Sequence, residues 1–201
     1  MLRPMILCAL ALLATPASAA SSGKYYLLVT GIDEAKGVTS GVTPELKQLF
    51  TDELKKHAEF ILERPAAMPT DPEQLVAWLK EHKLKAFEVS LKVLSVTRAL
   101  KPPPPGKQYR VLVRGIKLSV FGDTLPEKVM AIGGDGESEV GAEVGKSSNV
   151  DAEGKQLLLE CAKVAVTQAV DMTVAKLALA DKPVKLPGKK KRPIAPKPGA
   201  H

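Results

Sequence analysis

Residues 84–121 read LKAFEVSLKVLSVTRALKPPPPGKQYRVLVRGIKLSVF, and this stretch decides the fold. Phe87, Val89, Leu91 and Val93 alternate with Glu88, Ser90 and Lys92, which is the period of a strand buried on one face. Pro102, Pro103, Pro104 and Pro105, followed by Gly106, interrupt the run, because proline cannot donate to a sheet ladder. Alternation resumes from Tyr109 to Phe121. Two long strands with a break between them pair as an antiparallel hairpin. Centred on the prolines, the hairpin sets Val89, Leu91 and Val93 opposite Val120, Leu118 and Ile116, with Val96 opposite Val113.

The alternation changes phase toward the tip. Leu94 and Val96 on the first strand, and Tyr109, Val111 and Val113 on the second, take the opposite parity from the residues nearer the base. Side chains alternate strictly along a strand, so the outer half presents its apolar side on the other face. Two accounts are open. A bulge at Gly115 re-phases the sheet and the N-terminal segment covers the outer half, or the hairpin is a projecting arm whose Leu94, Val96, Tyr109, Val111 and Val113 meet a partner. The first is preferred, since tertiary cover is more common than a large exposed apolar patch.

Upstream, Tyr25 to Val29 is a short apolar run suited to a buried strand, followed by a loop marked by Gly31, Gly37, Ser40 and Gly41. Thr43-Pro44-Glu45 reads as a helix start with Thr43 as the cap, and Leu46, Leu49, Phe50 and Leu54 recur at helical spacing. Phe60 to Leu62 is a second short strand. Asp71-Pro72-Glu73-Gln74 opens a second helix, with Asp71 as cap and Leu75, Trp78 and Leu79 as its apolar stripe. Downstream, Val129 to Val144 reads as a third long strand kinked at Gly133-Gly134-Asp135-Gly136, or as a short hairpin. Asp151 then caps a long helix from about residue 152 to 180, whose stripe runs through Leu159, Ala162, Val166, Val170, Thr173 and Leu177. The fold class that follows is α+β, an α/β sandwich. It has a mixed, mostly antiparallel sheet, two short helices and one long C-terminal helix, in the order βαβαβββα.

The ends of the 201-residue chain differ from this body. Arg3, the apolar stretch from Met5 to Ala14, and Ala17 and Ala19 form the pattern of a cleaved secretory signal over residues 1–19. The apolar part has about half of the ~20 residues that a membrane span needs. Residues 182–201 hold five prolines, two glycines and seven cations, a composition expected to stay extended and disordered. The domain between them spans 20–181. It carries 21 Lys and Arg against 22 Asp and Glu, so the net charge of +7 belongs to the tail. A body so balanced does not carry the basic footprint of a nucleic-acid-binding fold. With Cys8 in the signal, Cys161 is the single cysteine of the exported chain and no internal disulfide can form. It reads as a small buried hydrophobe.

Chemical motifs are sparse. Gly145-Lys146-Ser147 lacks the glycine that a phosphate-binding loop needs at residue 140, which is Val. His57 and His82 sit at the ends of the two short helices, where a cation suits the dipole. Asp135, Glu137, Glu139 and Glu143 share one parity, but residues along one strand do not wrap an ion, and a solvated face is the ordinary reading. No catalytic residue, metal ligand or cofactor is assigned. Lys189, Lys190, Lys191 and Arg192 are suited to an anionic surface such as lipid phosphate, polysaccharide or peptidoglycan, through a salt-sensitive attraction.

The order of elements resembles a group of bacterial envelope domains: the lipoprotein activators of penicillin-binding proteins, the periplasmic part of the curli-secretion channel subunit, and the N-terminal domain of the Tol-Pal propeller protein. The similarity is carried by Tyr25 to Val29, by the helix-strand pair ending Ala58-Glu59-Phe60-Ile61-Leu62-Glu63-Arg64, by Leu84 to Val93, and by the closing helix through Ala162, Ala165 and Ala169. Those activators and channel subunits carry a lipidated cysteine that this chain lacks. The resemblance implies a non-catalytic module that docks on envelope proteins. The expected function is therefore an exported interaction protein, periplasmic or extracellular, with a tail that contacts an anionic layer. The alternatives are a cell-wall glycan enzyme using Glu137 and Glu139, and a carrier of a small apolar ligand beside the long helix.

Overall fold

The computed structural model describes residues 23–180, apart from 104, 107 and 146. The expected signal (1–19) and basic tail (182–201) lie outside the described residues.

The elements run β1 (Tyr25–Glu34), α1 (Thr43–Lys55), β2 (Phe60–Ile61), α2 (Pro72–Glu81), β3 (Lys85–Lys101), β4 (Arg110–Thr124), β5 (Met130–Val144) and α3 (Val150–Ala180). The five strands form one mixed sheet in the order β2-β1-β3-β4-β5. β1 lies parallel to β2 and β3, while β3, β4 and β5 form an antiparallel meander. The chain is thus the expected α+β sandwich.

Burial on both faces explains the layering. Leu46, Phe50 and Leu54 of α1 and Leu158, Cys161, Ala162, Ala165, Val166, Ala169, Val170 and Leu177 of α3 bury one sheet face. That face presents Tyr25, Leu27, Phe87, Val89, Leu91, Val93, Ile116, Leu118 and Val120. The opposite, outer face is covered near its base by α2, where Leu75 and Leu79 meet Tyr26, Ala86 and Met68. Nearer the tip, Leu112, Val144 and Leu157 form a third cluster under the start of α3. No helix among the described residues is long and apolar enough to cross a membrane.

Several local readings are corrected. β1 continues past Gly31 to Glu34, with a shift between Val29 and Gly31, so the loop begins later than the glycine suggests. Thr43 is the first residue of α1 rather than its cap. Val42 takes the cap position without a side-chain bond, and the Thr43 hydroxyl donates instead to Glu34 Oε1 (3.1 Å). Asp71 does cap α2, accepting from the backbone of Glu73 (3.1 Å) and Gln74 (3.0 Å). Asp151 does not cap α3. Asn149 Oδ1 accepts from Ala152 N (3.1 Å), which leaves the Asp151 carboxylate for Arg98. Within α3, Leu158 rather than Leu159 enters the core, and Met172 is exposed.

The hairpin register also differs. Val89, Leu91 and Val93 pair with Gly122, Val120 and Leu118, and Val96 pairs with Ile116. The irregularity lies on β3 between Val93 and Ser95, skipping Leu94, and β4 runs through Gly115 without a break. The bulge flips parity on one strand alone. β5 is one continuous strand, and its glycines serve packing: a β-carbon at Gly134 or Gly136 would overlap the carbonyl oxygen of Ala169 or Ala165. Small residues on both sides let α3 lie against the strand backbone.

Candidate functional site

Residues paired across a sheet share a face, so the register places every side chain on the meander. On the outer face Ala99, Val113 and Gly141 form one row, and Lys101, Val111 and Glu143 form the next row toward the tip. Below them lie Thr97, Gly115 and Glu139, then Ser95, Lys117 and Glu137. Val113 is 5% exposed and Val111 half-buried. The Tyr109 hydroxyl donates to Glu143, and this bond is the main cause that holds its pKa above the usual phenol value. Tyr109, Val111 and Val113 therefore belong together. Val96 lies on the opposite face, packed against the helix-side core, and Leu94 is half-buried in the bulge. The five residues do not form one surface, because the parity flip on β3 has no counterpart on β4. The tail cations Lys189, Lys190, Lys191 and Arg192 lie outside the described residues.

The outer-face carboxylates are tied into the sheet. Glu137 Oε2 is 3.4 Å from Lys117 Nζ, and Asp135 accepts from the Ser119 hydroxyl at 2.6 Å. No group of three or more metal-ligating side chains converges among the described residues. His82 stacks on Trp78 with ring centroids 4.1 Å apart, and its Nδ1 lies 2.9 Å from the Trp78 carbonyl. Cys161 is fully buried, its thiol donating to the Arg114 carbonyl at 3.2 Å. Burial pushes this thiol up in pKa, which keeps it protonated and unreactive.

A different constellation occupies the helix-bearing face. Arg98 of β3 and Arg114 of β4 are direct cross-strand partners there. Arg98 Nη2 is 2.5 Å from Asp151 Oδ1, at the first turn of α3. Arg114 Nε is buried without a partner among the described residues. Desolvation, and secondarily the Arg98 charge, lower the Arg114 pKa. The loop from Gly37 to Gly41 forms the facing wall of a cleft of about 610 Å³, whose floor includes Ser95, Val96, Arg98 and Arg114. An adjoining recess of about 200 Å³ runs along Gly154 and Lys155 of α3. Lys155 is paired with Glu45 at 2.8 Å.

The loop is held by Glu34 from β1. Its Oε1 accepts from the Ser40 hydroxyl (2.6 Å), the Ser40 backbone (3.0 Å) and the Thr43 hydroxyl (3.1 Å), and the Ser40 bonds are the main cause of its lowered pKa. Positive φ at Gly37 (81°) and Gly41 (68°) permits this tight path. Sequence reasoning did not find this cleft. The signal was present in two isolated arginines, Arg98 and Arg114, but the expected register set Arg98 opposite Val111.

No protein-family model matches the chain, and no curated protein matches it in sequence. Solved structures do resemble it. A candidate neuraminyllactose-binding hemagglutinin homolog from Helicobacter pylori shares 9% identity, with 80% of this chain and 88% of that one covered and a TM-score of 0.44. A candidate lipoprotein from Caulobacter crescentus shares 12% identity over 78% and 93%, at 0.44. The rare lipoprotein B from Shewanella oneidensis shares 12% over 77% and 95%, at 0.36. The structures that this chain resembles thus include bacterial lipoproteins, at low identity, and the likeness is one of fold.

Proposed function

We propose that the chain is an exported, non-catalytic interaction protein of the cell envelope, which docks on an envelope protein through the outer face of the meander while its basic tail contacts an anionic surface. One observation carries this reading: α1 and α3 occupy the other face, and α2 covers only the base of this one. What is left open has a small apolar centre, half-buried Ala99 and Val111 beside buried Val113, rimmed by Lys101, Lys117, Glu137, Glu139 and Glu143. An apolar centre with a charged rim is the ordinary anatomy of a protein interface.

The test is co-sedimentation of the mature chain with isolated envelopes across a salt series, beside a chain ending at Asp181 and a Val111→Asp variant. Docking on the fold predicts that the truncated chain still sediments at high salt and that Val111→Asp releases it. Binding that needs residues 182–201 and vanishes with salt would reduce the protein to an electrostatic surface binder.

A second reading has its own support. A cleft of about 370 Å³ lies beside the end of α3, lined by Tyr25, Phe60, Val174 and Leu177 with Lys24 and Glu59 at its mouth. It would suit a small apolar ligand with a polar end. Native mass spectrometry that shows a retained ligand would favour this reading.

A further inference from the structure

We propose that the cleft between the Gly37 to Gly41 loop and the Arg98–Arg114 pair binds a phosphate-class oxyanion. Like charges directly opposite one another on a sheet face are destabilising, and this pair sits on the face that carries the core. The preceding residues of that face, from Phe87 to Val93 on β3 and from Ile116 to Val120 on β4, are apolar. Two guanidinium groups there break the pattern, and a broken local rule without a structural gain marks functional sites.

The formal charges around the cleft balance, three cations against three carboxylates, but they are not matched pair by pair. Asp151 neutralises Arg98, but its side chain is 82% exposed, so water screens that pair. Lys155 is occupied by Glu45. The Glu34 carboxylate accepts three hydrogen bonds from Ser40 and Thr43. Arg114 has no carboxylate partner among the described residues, and its Nε is buried unsatisfied. An unmet buried donor costs about 1–3 kcal/mol, and more for a charged group. An incoming anion would recover that loss.

The shape selects the anion. Guanidinium forks on neighbouring strands offer donors from two directions, and each matches two oxygens of a phosphate. A planar carboxylate satisfies one fork. A tetrahedral phosphate has oxygens enough for both. A β-carbon built at Gly37 or Gly41 meets nothing within 4 Å, so the loop side is open space. A volume of about 610 Å³ holds the phosphate and part of the molecule that bears it. The two arginines are on the opposite side of the sheet from the docking face, and the site stands without it.

The test is NMR titration of the mature chain with inorganic phosphate and with glycerol 1-phosphate, against acetate at equal ionic strength. Expected are saturable shifts of the Gly37, Gly41 and Ser95 amides with the two phosphates and not with acetate. Arg114→Gln should weaken the affinity about tenfold or more, as loss of a charge-assisted fork does. A variant with Lys189, Lys190, Lys191 and Arg192 replaced by serine should bind unchanged, which separates the cleft from the tail. Should Arg114→Gln fail to fold, Arg98→Gln, on the more exposed partner, is read in the same way. Vesicles of phosphatidylcholine with and without phosphatidic acid distinguish the sources: gain on phosphatidic acid alone assigns a lipid headgroup, and saturation by glycerol 1-phosphate assigns a soluble ester. Unsaturable shifts over all surface cations, or acetate binding as well as phosphate, would overturn the proposal.

Discussion

Gly136 of β5 lies against the carbonyl oxygen of Ala165 in α3, so closely that a β-carbon there would overlap the helix backbone. The contact is backbone against backbone, and neither side has a flexible side chain that could yield. Gly136→Ala must push α3 away from β5 or twist the strand. Overpacking of this kind costs about 1–3 kcal/mol, and the upper end applies where backbone must move. Gly31→Ala, whose β-carbon meets nothing within 4 Å, is the control and should change stability by less than about 0.5 kcal/mol. Urea denaturation of the two variants against the parent measures both.

Glu34 holds the entry to α1 by accepting from Ser40 and Thr43. Its pKa is lowered, mainly by the Ser40 hydroxyl and then by the Ser40 backbone. A depressed carboxyl stabilises the fold fully above its unfolded pKa, and the contribution is lost as pH falls through the folded value. The loop and the start of α1 should therefore loosen on acidification below the ordinary carboxylate range and not near neutrality. Glu34→Gln should remove this pH dependence and cost about 1 kcal/mol at pH 7, the scale of a lost helix cap. Amide hydrogen exchange at Val42 and Leu46, followed with pH in both proteins, checks it.

Asn149 takes the cap role that the sequence suggested for Asp151 and bonds Ala152 N, and Asp151 pairs with Arg98 instead. Asn149→Ala should lower stability by about 1 kcal/mol. Asp151→Asn should cost less, since the pair with Arg98 is exposed, yet it should raise the affinity of the cleft for phosphate by removing a competing carboxylate. Thermal denaturation and the phosphate titration separate the two effects.

Much of this arrangement was legible in the residues. Alternation along Phe87 to Val93 marked the buried face, Asp71 before Pro72 marked a helix start, and the stripe through Ala162, Val166 and Val170 marked the buried side of α3. What periodicity could not supply was the pairing. A hairpin centred on four prolines assumes equal arms, whereas β3 ends at Lys101 and β4 begins only at Arg110. The bulge did leave a mark, the change of parity from Val93 to Val96, but the reading set it at Gly115 of the partner strand rather than at Leu94. A register error of two to three residues hid the Arg98–Arg114 pair, since Arg98 was set against Val111. It also merged residues from both faces into one patch, so Val96 was grouped with Val111 and Val113. Face assignment needs the register, and the register depended on a turn and a bulge that hydrophobic pattern does not locate.

Arg114 places a charged group among Leu112, Gly154 and Leu158 at the edge of the core, with its Nε unpaired. Removing one partner of a satisfied buried ion pair destabilises a protein, but Arg114 has no such partner to abandon among the described residues. Its replacement by an apolar residue of similar length removes a desolvation penalty and the repulsion from Arg98 together. Arg114→Met should therefore raise the stability of the unliganded protein, by about 1–3 kcal/mol on the scale of an unsatisfied buried group. The conservative Arg114→Lys keeps the charge and loses the planar fork, so it should give no such gain. Thermal melts in phosphate-free buffer distinguish the variants. A stabilised Arg114→Met protein that no longer responds to phosphate would mean that the arginine is kept for what it binds, at the expense of the fold.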